Sequence, residues 1–158
     1  MNEKHARRAQ FALFPLLLGS VATEALAILF CLELGTIYPE TAGFAPYFAG
    51  ATAVVFTLLQ AALAVLFHVL HLAATDRFFT AATRRAFGRI RLLVAGAAAV
   101  LATGGAYLLF VAKLGGPGVI LASIAVVTVA IAFDQLAKVA GAALDEARQY
   151  RDELAEVI

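Results

Sequence analysis

Four apolar runs, at residues 11–34, 45–73, 92–112 and 119–137, decide most of what this chain can become. Each is long enough to cross a hydrocarbon core of about 30 Å, which takes roughly 20 helical residues. Lipid offers the backbone no hydrogen-bond partner, so a spanning segment satisfies its own N–H and C=O groups as a helix or within a closed barrel. The runs lack the strand-like alternation of a barrel. The expected fold is an all-α membrane protein, a four-transmembrane-helix bundle forming a single membrane domain. A connecting loop, 74–91, and a tail, 138–158, lie outside the spans. Composition agrees, since 63% of the 158 residues are hydrophobic and 15% charged, where a soluble domain has about 45–50% and about 25%.

The charges then set the direction of the path. Lys4, Arg7 and Arg8 precede the first span, Arg77, Arg84, Arg85, Arg89 and Arg91 lie in loop 74–91, and Lys138, Arg148 and Arg151 follow the last span. All of these fall on one side, and only Lys113 falls on the other. The positive-inside rule makes the basic side cytoplasmic, with both termini there and a multi-pass chain in a cytoplasmic membrane. A competing reading takes the basic start, the apolar stretch and Ala25-Leu26-Ala27 as a cleaved secretory signal. Glu24 directly before that triplet, and the apolar run through Ile28, Leu29 and Phe30, point instead to an uncleaved span.

Between spans, Tyr38-Pro39, Ala45-Pro46 and Gly115-Gly116-Pro117-Gly118 punctuate as turns. The glycine-rich turn has no following Lys-Ser or Lys-Thr, so it reads as a tight hairpin between spans 3 and 4 rather than a phosphate loop. Small residues at four-residue spacing, Ala95/Ala99/Thr103, Ala98/Ala102/Ala106 and Ala49/Ala53/Thr57/Ala61, suit close helix packing within the bundle or in a homo-oligomer.

Polar side chains at membrane depth are costly, so each one is a candidate. Glu24 and Gln60 sit near the middles of spans 1 and 2, which come level in an antiparallel hairpin, with Ser20 one turn from Glu24. The pair serves either as a hydrogen bond joining two helices, with the acid protonated, or as a proton or cation site. Asp134, near the inner end of span 4, stands four residues before Lys138, the favourable acid-first spacing for an interfacial ion pair, with Arg89 or Arg91 as competing partners. His68 and His71 share one side of span 2, but two ligands are too few for a metal without a third, and Asp76 is the nearest acid in sequence.

The loop from Phe78 to Ile90, apolar at Phe79, Ala82, Ala86 and Ile90, reads as a cytoplasmic amphipathic loop helix in the interface that runs into span 3. Its arginines, Arg77, Arg84, Arg85, Arg89 and Arg91, are placed for lipid headgroups or for the tail, and direct contact with nucleic acid is not expected. In the C-terminal helix extension, Leu136, Ala140, Ala143, Ala147, Tyr150, Leu154 and Val157 follow the four-three alternation of a packing seam. Asp145, Glu146, Asp152, Glu153 and Glu156 make that tail acidic. It docks on the basic loop, on another copy of the chain or on a separate protein.

Several fragments, taken in order, carry a resemblance. They are Leu32-Glu33-Leu34 to Tyr38-Pro39-Glu40, Gln60, Arg77-Phe78-Phe79-Thr80 to Arg85-Ala86-Phe87, Gly116-Pro117-Gly118 and the closing Leu154-Ala155-Glu156-Val157-Ile158. Together they resemble the bacterial membrane family catalogued as domain of unknown function twenty-nine seventy-five. The resemblance implies a four-span inner-membrane protein without an assigned activity, whose gene neighbours include a small helix-turn-helix transcription factor. Glu24 and Asp134 depart from the family's pattern, so no role carries over to them. With no HExxH, P-loop, nucleophile elbow or paired carboxylates, no catalytic residue, metal or cofactor is expected. The leading expectation is a non-enzymatic component that engages a cytoplasmic partner such as a small DNA-binding regulator. The alternative is a small transporter or ion-conducting assembly using Glu24 and Gln60.

Overall fold

The structure, a computed structural model, describes residues 3–75, 80–114 and 116–156. It consists of four long helices, α1 (Glu3–Ile37), α2 (Ala45–Ala74), α3 (Ala81–Phe110) and α4 (Pro117–Glu156), with a short 3-10 turn at Pro39–Thr41. All four are long and apolar enough to cross a membrane, over Phe11–Ile37, Ala45–Leu72, Ala82–Phe110 and Pro117–Ala147. The chain is a multi-pass membrane protein.

Two of these stretches are much longer than expected. The basic segment, expected as a loop helix that runs into span 3, forms from Ala81 the first turns of α3 itself. α4 likewise runs unbroken for 40 residues, about 60 Å at 1.5 Å per residue, so the tail is the same helix as span 4. The physical reason is local: no proline interrupts residues 81–110 or the interior of α4, and nothing else in either sequence stops a helix.

The ends are set by turn chemistry. At the far end from the arginines, the Thr41 hydroxyl donates to the Leu34 and Tyr38 carbonyls, 3.1 and 2.8 Å away, and so closes the end of α1. A proline in the first turn of α2 costs nothing there, because that N–H has no intrahelical acceptor. After α3 the chain turns at Lys113, which takes a positive φ of 53°, and the N–H groups of Val111, Ala112 and Leu114 cover the carbonyls of Tyr107 and Leu108. At the basic end, extended Thr80 starts α3 and accepts the N–H of Thr83 and Arg84.

Packing follows chain order: α1 lies on α2, α2 on α3 and α3 on α4. The α2–α3 pair is the spine and holds most of the buried side chains. Val55, Ala62 and Val69 on α2 and Thr83, Ile90 and Ala97 on α3 are each seven residues apart, the repeat of an antiparallel coiled-coil seam. The expected four-residue stripes contribute in part: Ala49 is buried, and Ala53, Ala61, Ala98 and Ala102 are half-buried. Ala95, Ala99 and Thr103 stay exposed, as does Thr57, because alanine occurs on every face of these helices and its spacing does not single out one. On either flank the contacts depend on missing side chains. A Cβ on Gly35 of α1 would stand 2.7 Å from the Ala45 Cβ, and one on Gly105 of α3 would collide with the Ser123 hydroxyl of α4.

Candidate functional site

Helix α1 holds Glu24 at the level of Gln60 on α2, and the Gln60 Nε2 donates to the Glu24 Oε2 at 2.8 Å. Both side chains are half-buried. Ser20 does not join them; its hydroxyl donates back to the Leu17 carbonyl at 2.7 Å. A second contact on the same interface brings the Cys31 thiol within 3.7 Å of the Thr52 hydroxyl. The Glu24–Gln60 hydrogen bond thus joins α1 to α2.

Between α3 and α4 the polar contacts are ionic. The Arg91 guanidinium donates to one oxygen of Asp134, and the Lys138 ammonium sits 2.7 Å from the other. Of the three partners weighed from the sequence, Arg91 and Lys138 meet the same carboxylate, and no such contact joins Arg89 to it. One rung nearer the basic end, Arg84 reaches Asp145 at 3.4 Å. Gly105 with Ser123, Arg91 with Asp134 and Arg84 with Asp145 keep one antiparallel register along the two helices. Arg84 stands in the first turn of α3, so α3 begins within about one turn of this rung, while α4 continues to Glu156.

The arginines of α3 divide by helical face. Arg84 and Arg91, seven residues apart, point to carboxylates of α4. Arg85 and Arg89, one turn apart, line a cavity of about 520 Å³ against α2, together with His68, Ala64, Val65, Ala82 and Ala86. Arg77 lies outside the described residues. Of the expected tail seam, Ala143 and Tyr150 are exposed, Ala147 is half-buried, and Leu154 lies on the last turns of α4. Val157 lies outside the described residues. His71 is exposed and does not line the cavity that holds His68, and among the described residues no three His, Cys, Asp or Glu side chains are grouped to hold a metal.

Two features escaped the sequence. One is the cavity that His68 lines together with Arg85 and Arg89, which depends on the α2–α3 register. The other is a cavity of about 850 Å³ at the far end, where Phe44, Tyr47 and Phe48 of the α2 start face Thr103, Gly104 and Tyr107 of α3. The Phe44 and Tyr107 rings meet edge to face there, with centroids 6.0 Å apart. The aromatic residues clustered around Pro46 were the available signal for it.

The model of a family described as "Protein of unknown function (DUF2975)" matches residues 29–158 of the chain. The match takes in Gln60, the arginines of α3, Asp134 and the tail, and it begins beyond Glu24. No curated protein and no solved structure matches.

Proposed function

The chain belongs to the family of unknown function DUF2975, and from that premise we propose that it is a non-enzymatic component of a bacterial inner membrane that presents its α4 tail to a cytoplasmic protein. Both termini lie in the cytoplasm in this reading, because eleven of the twelve Lys and Arg residues stand on that side. The observation that carries it is the continuation of α4 beyond its last ionic rung to α3 at Asp145. That part of the sequence is acidic, and it bears Tyr150, 60% exposed, on the expected seam. A rigid helix with an apolar stripe and acidic flanks suits a helix-in-groove partner with a basic rim. A small DNA-binding regulator of the helix-turn-helix kind has that chemistry.

Co-purification from detergent tests the reading. The full chain is expected to retain a protein that a chain ending at Ala147 loses. If no protein depends on the tail, the reading fails. Glu24 at membrane depth keeps transport as the second reading. In liposomes Glu24→Gln separates the two, since a charge-using transporter loses flux whereas a helix joint does not.

A further inference from the structure

We infer that the far-end cavity between α2 and α3 binds a small, uncharged ring compound that carries hydrogen-bond-accepting oxygens, of the quinone kind. At about 850 Å³ the space falls in the range of small-molecule sites. Phe44, Tyr47 and Phe48 line it from the start of α2 and Tyr107 lines it from α3, so aromatic surface meets one space from two helices. A flat ring packs offset or edge to face on such walls. No charged side chain lines the cavity, and the positive end of the α2 dipole lies at this level, so a cation is not favoured. The lining belongs to the first turns of the apolar stretch of α2, from Ala45, and the last turns of that of α3, to Phe110, which lets an apolar ligand arrive through lipid.

Hydroxyl groups supply the polar part. Tyr47, Thr103 and Tyr107 all line the space, and none of their hydroxyls bonds to another described residue. Thr103 differs in this from its counterparts. Thr23, Thr57 and Thr128 also stand within apolar helices, and each donates to the carbonyl four residues earlier. Lipid offers a hydroxyl no acceptor, so that back-bond is the usual resort at membrane depth. A ligand oxygen in the cavity gives Thr103 the acceptor that its own helix does not. Gly104, beside it, keeps open space rather than a helix contact. A Cβ there would stand 4.0 Å from the Phe48 ring, an ordinary distance, whereas one at Gly35 would stand 2.7 Å from the Ala45 Cβ. The inference is independent of the tail and of any partner that the tail binds.

The test is equilibrium dialysis of the full chain in detergent, with empty micelles as the blank and with duroquinone and durene as probes. Both are tetramethylated six-membered rings, and only the quinone has oxygens. Saturable retention of duroquinone is expected, with weaker retention of durene. Thr103→Val keeps the shape and removes the hydroxyl, and is expected to weaken duroquinone binding about fivefold, the scale of one hydrogen bond, while leaving durene unchanged. Thr103→Ser keeps the hydroxyl and is expected to bind as the unaltered chain does. Gly104→Leu fills the cavity and is expected to abolish retention of both. Tyr150→Phe, on the tail, is expected to change nothing. Circular dichroism and elution volume establish that each variant is folded. No saturable retention of duroquinone, equal retention of the two probes, or selective retention that Thr103→Val and Gly104→Leu leave untouched overturns the inference. So does tighter retention of phenyltrimethylammonium than of duroquinone, which would make the rings a cation site.

Discussion

At Gly35 a hydrogen atom is all that fits between α1 and α2, because the atom facing it is the Ala45 Cβ, fixed to its backbone. Gly35→Ala is expected to cost about 1–3 kcal/mol as the helices are forced apart, read as a lower unfolding temperature in detergent. Gly105→Ala is expected to be milder, since the obstacle is the Ser123 hydroxyl, which rotates away. Thr83 presents the opposite case. It is fully buried, and its hydroxyl has no hydrogen-bond partner among the described residues. Thr83→Val keeps the shape and removes the orphaned group, and a gain of about 1 kcal/mol in the same unfolding assay is expected. For the intramembrane joint, Gln60→Leu is expected to lose about 1 kcal/mol, whereas Glu24→Gln keeps an oxygen to accept from Gln60 and is expected to be nearly neutral. The level of Glu24 and Gln60 could be read from the sequence because both lie mid-run in neighbouring spans. Thr83 could not, since nothing in a row of small residues shows which one a heptad seam will enclose.

At the scale of the helix, what the sequence hid was facing. Loop 74–91 and tail 138–158 are distinguishable from the spans by charge, but charge does not break a helix, so Arg84 begins the same rod as Tyr107 and Asp145 continues the rod of Ser123. The four arginines from Arg84 to Arg91 look alike as a list of charges. Their roles separate only when α2 is set on one side of α3 and α4 on the other. The rung between Arg84 and Asp145 joins two side chains that are 68% and 41% exposed, so its contribution is expected to be below about 1 kcal/mol and to fade with salt. A cycle of Arg84→Glu, Asp145→Arg and the swapped pair measures it: each single change is expected to loosen the root of the tail, and the swap to restore it. On the spine, Ala97→Leu is expected to be far more damaging than any of these, because Ala97 is only 3% exposed and lies on the α2–α3 seam.

As a whole molecule, the protein is four rods laid in chain order, with each helix interface including α2 or α3 and with α1 and α4 open on their outer faces to lipid. The polar contacts are graded along it: aromatic packing at the far end, a single amide–carboxyl joint between α1 and α2, and ion pairs toward the basic end. The proposed tail site belongs to that basic end, so it depends on which compartment that end faces. Cys31 is the chain's one cysteine, and a Cys31→Ser background therefore allows single reporter cysteines to be placed at Glu40, Lys113 and Gln149. A membrane-impermeant maleimide applied to intact cells is expected to label positions 40 and 113 and to reach position 149 only after the membrane is opened. Labelling of position 149 in intact cells, with 40 and 113 protected, would contradict the account.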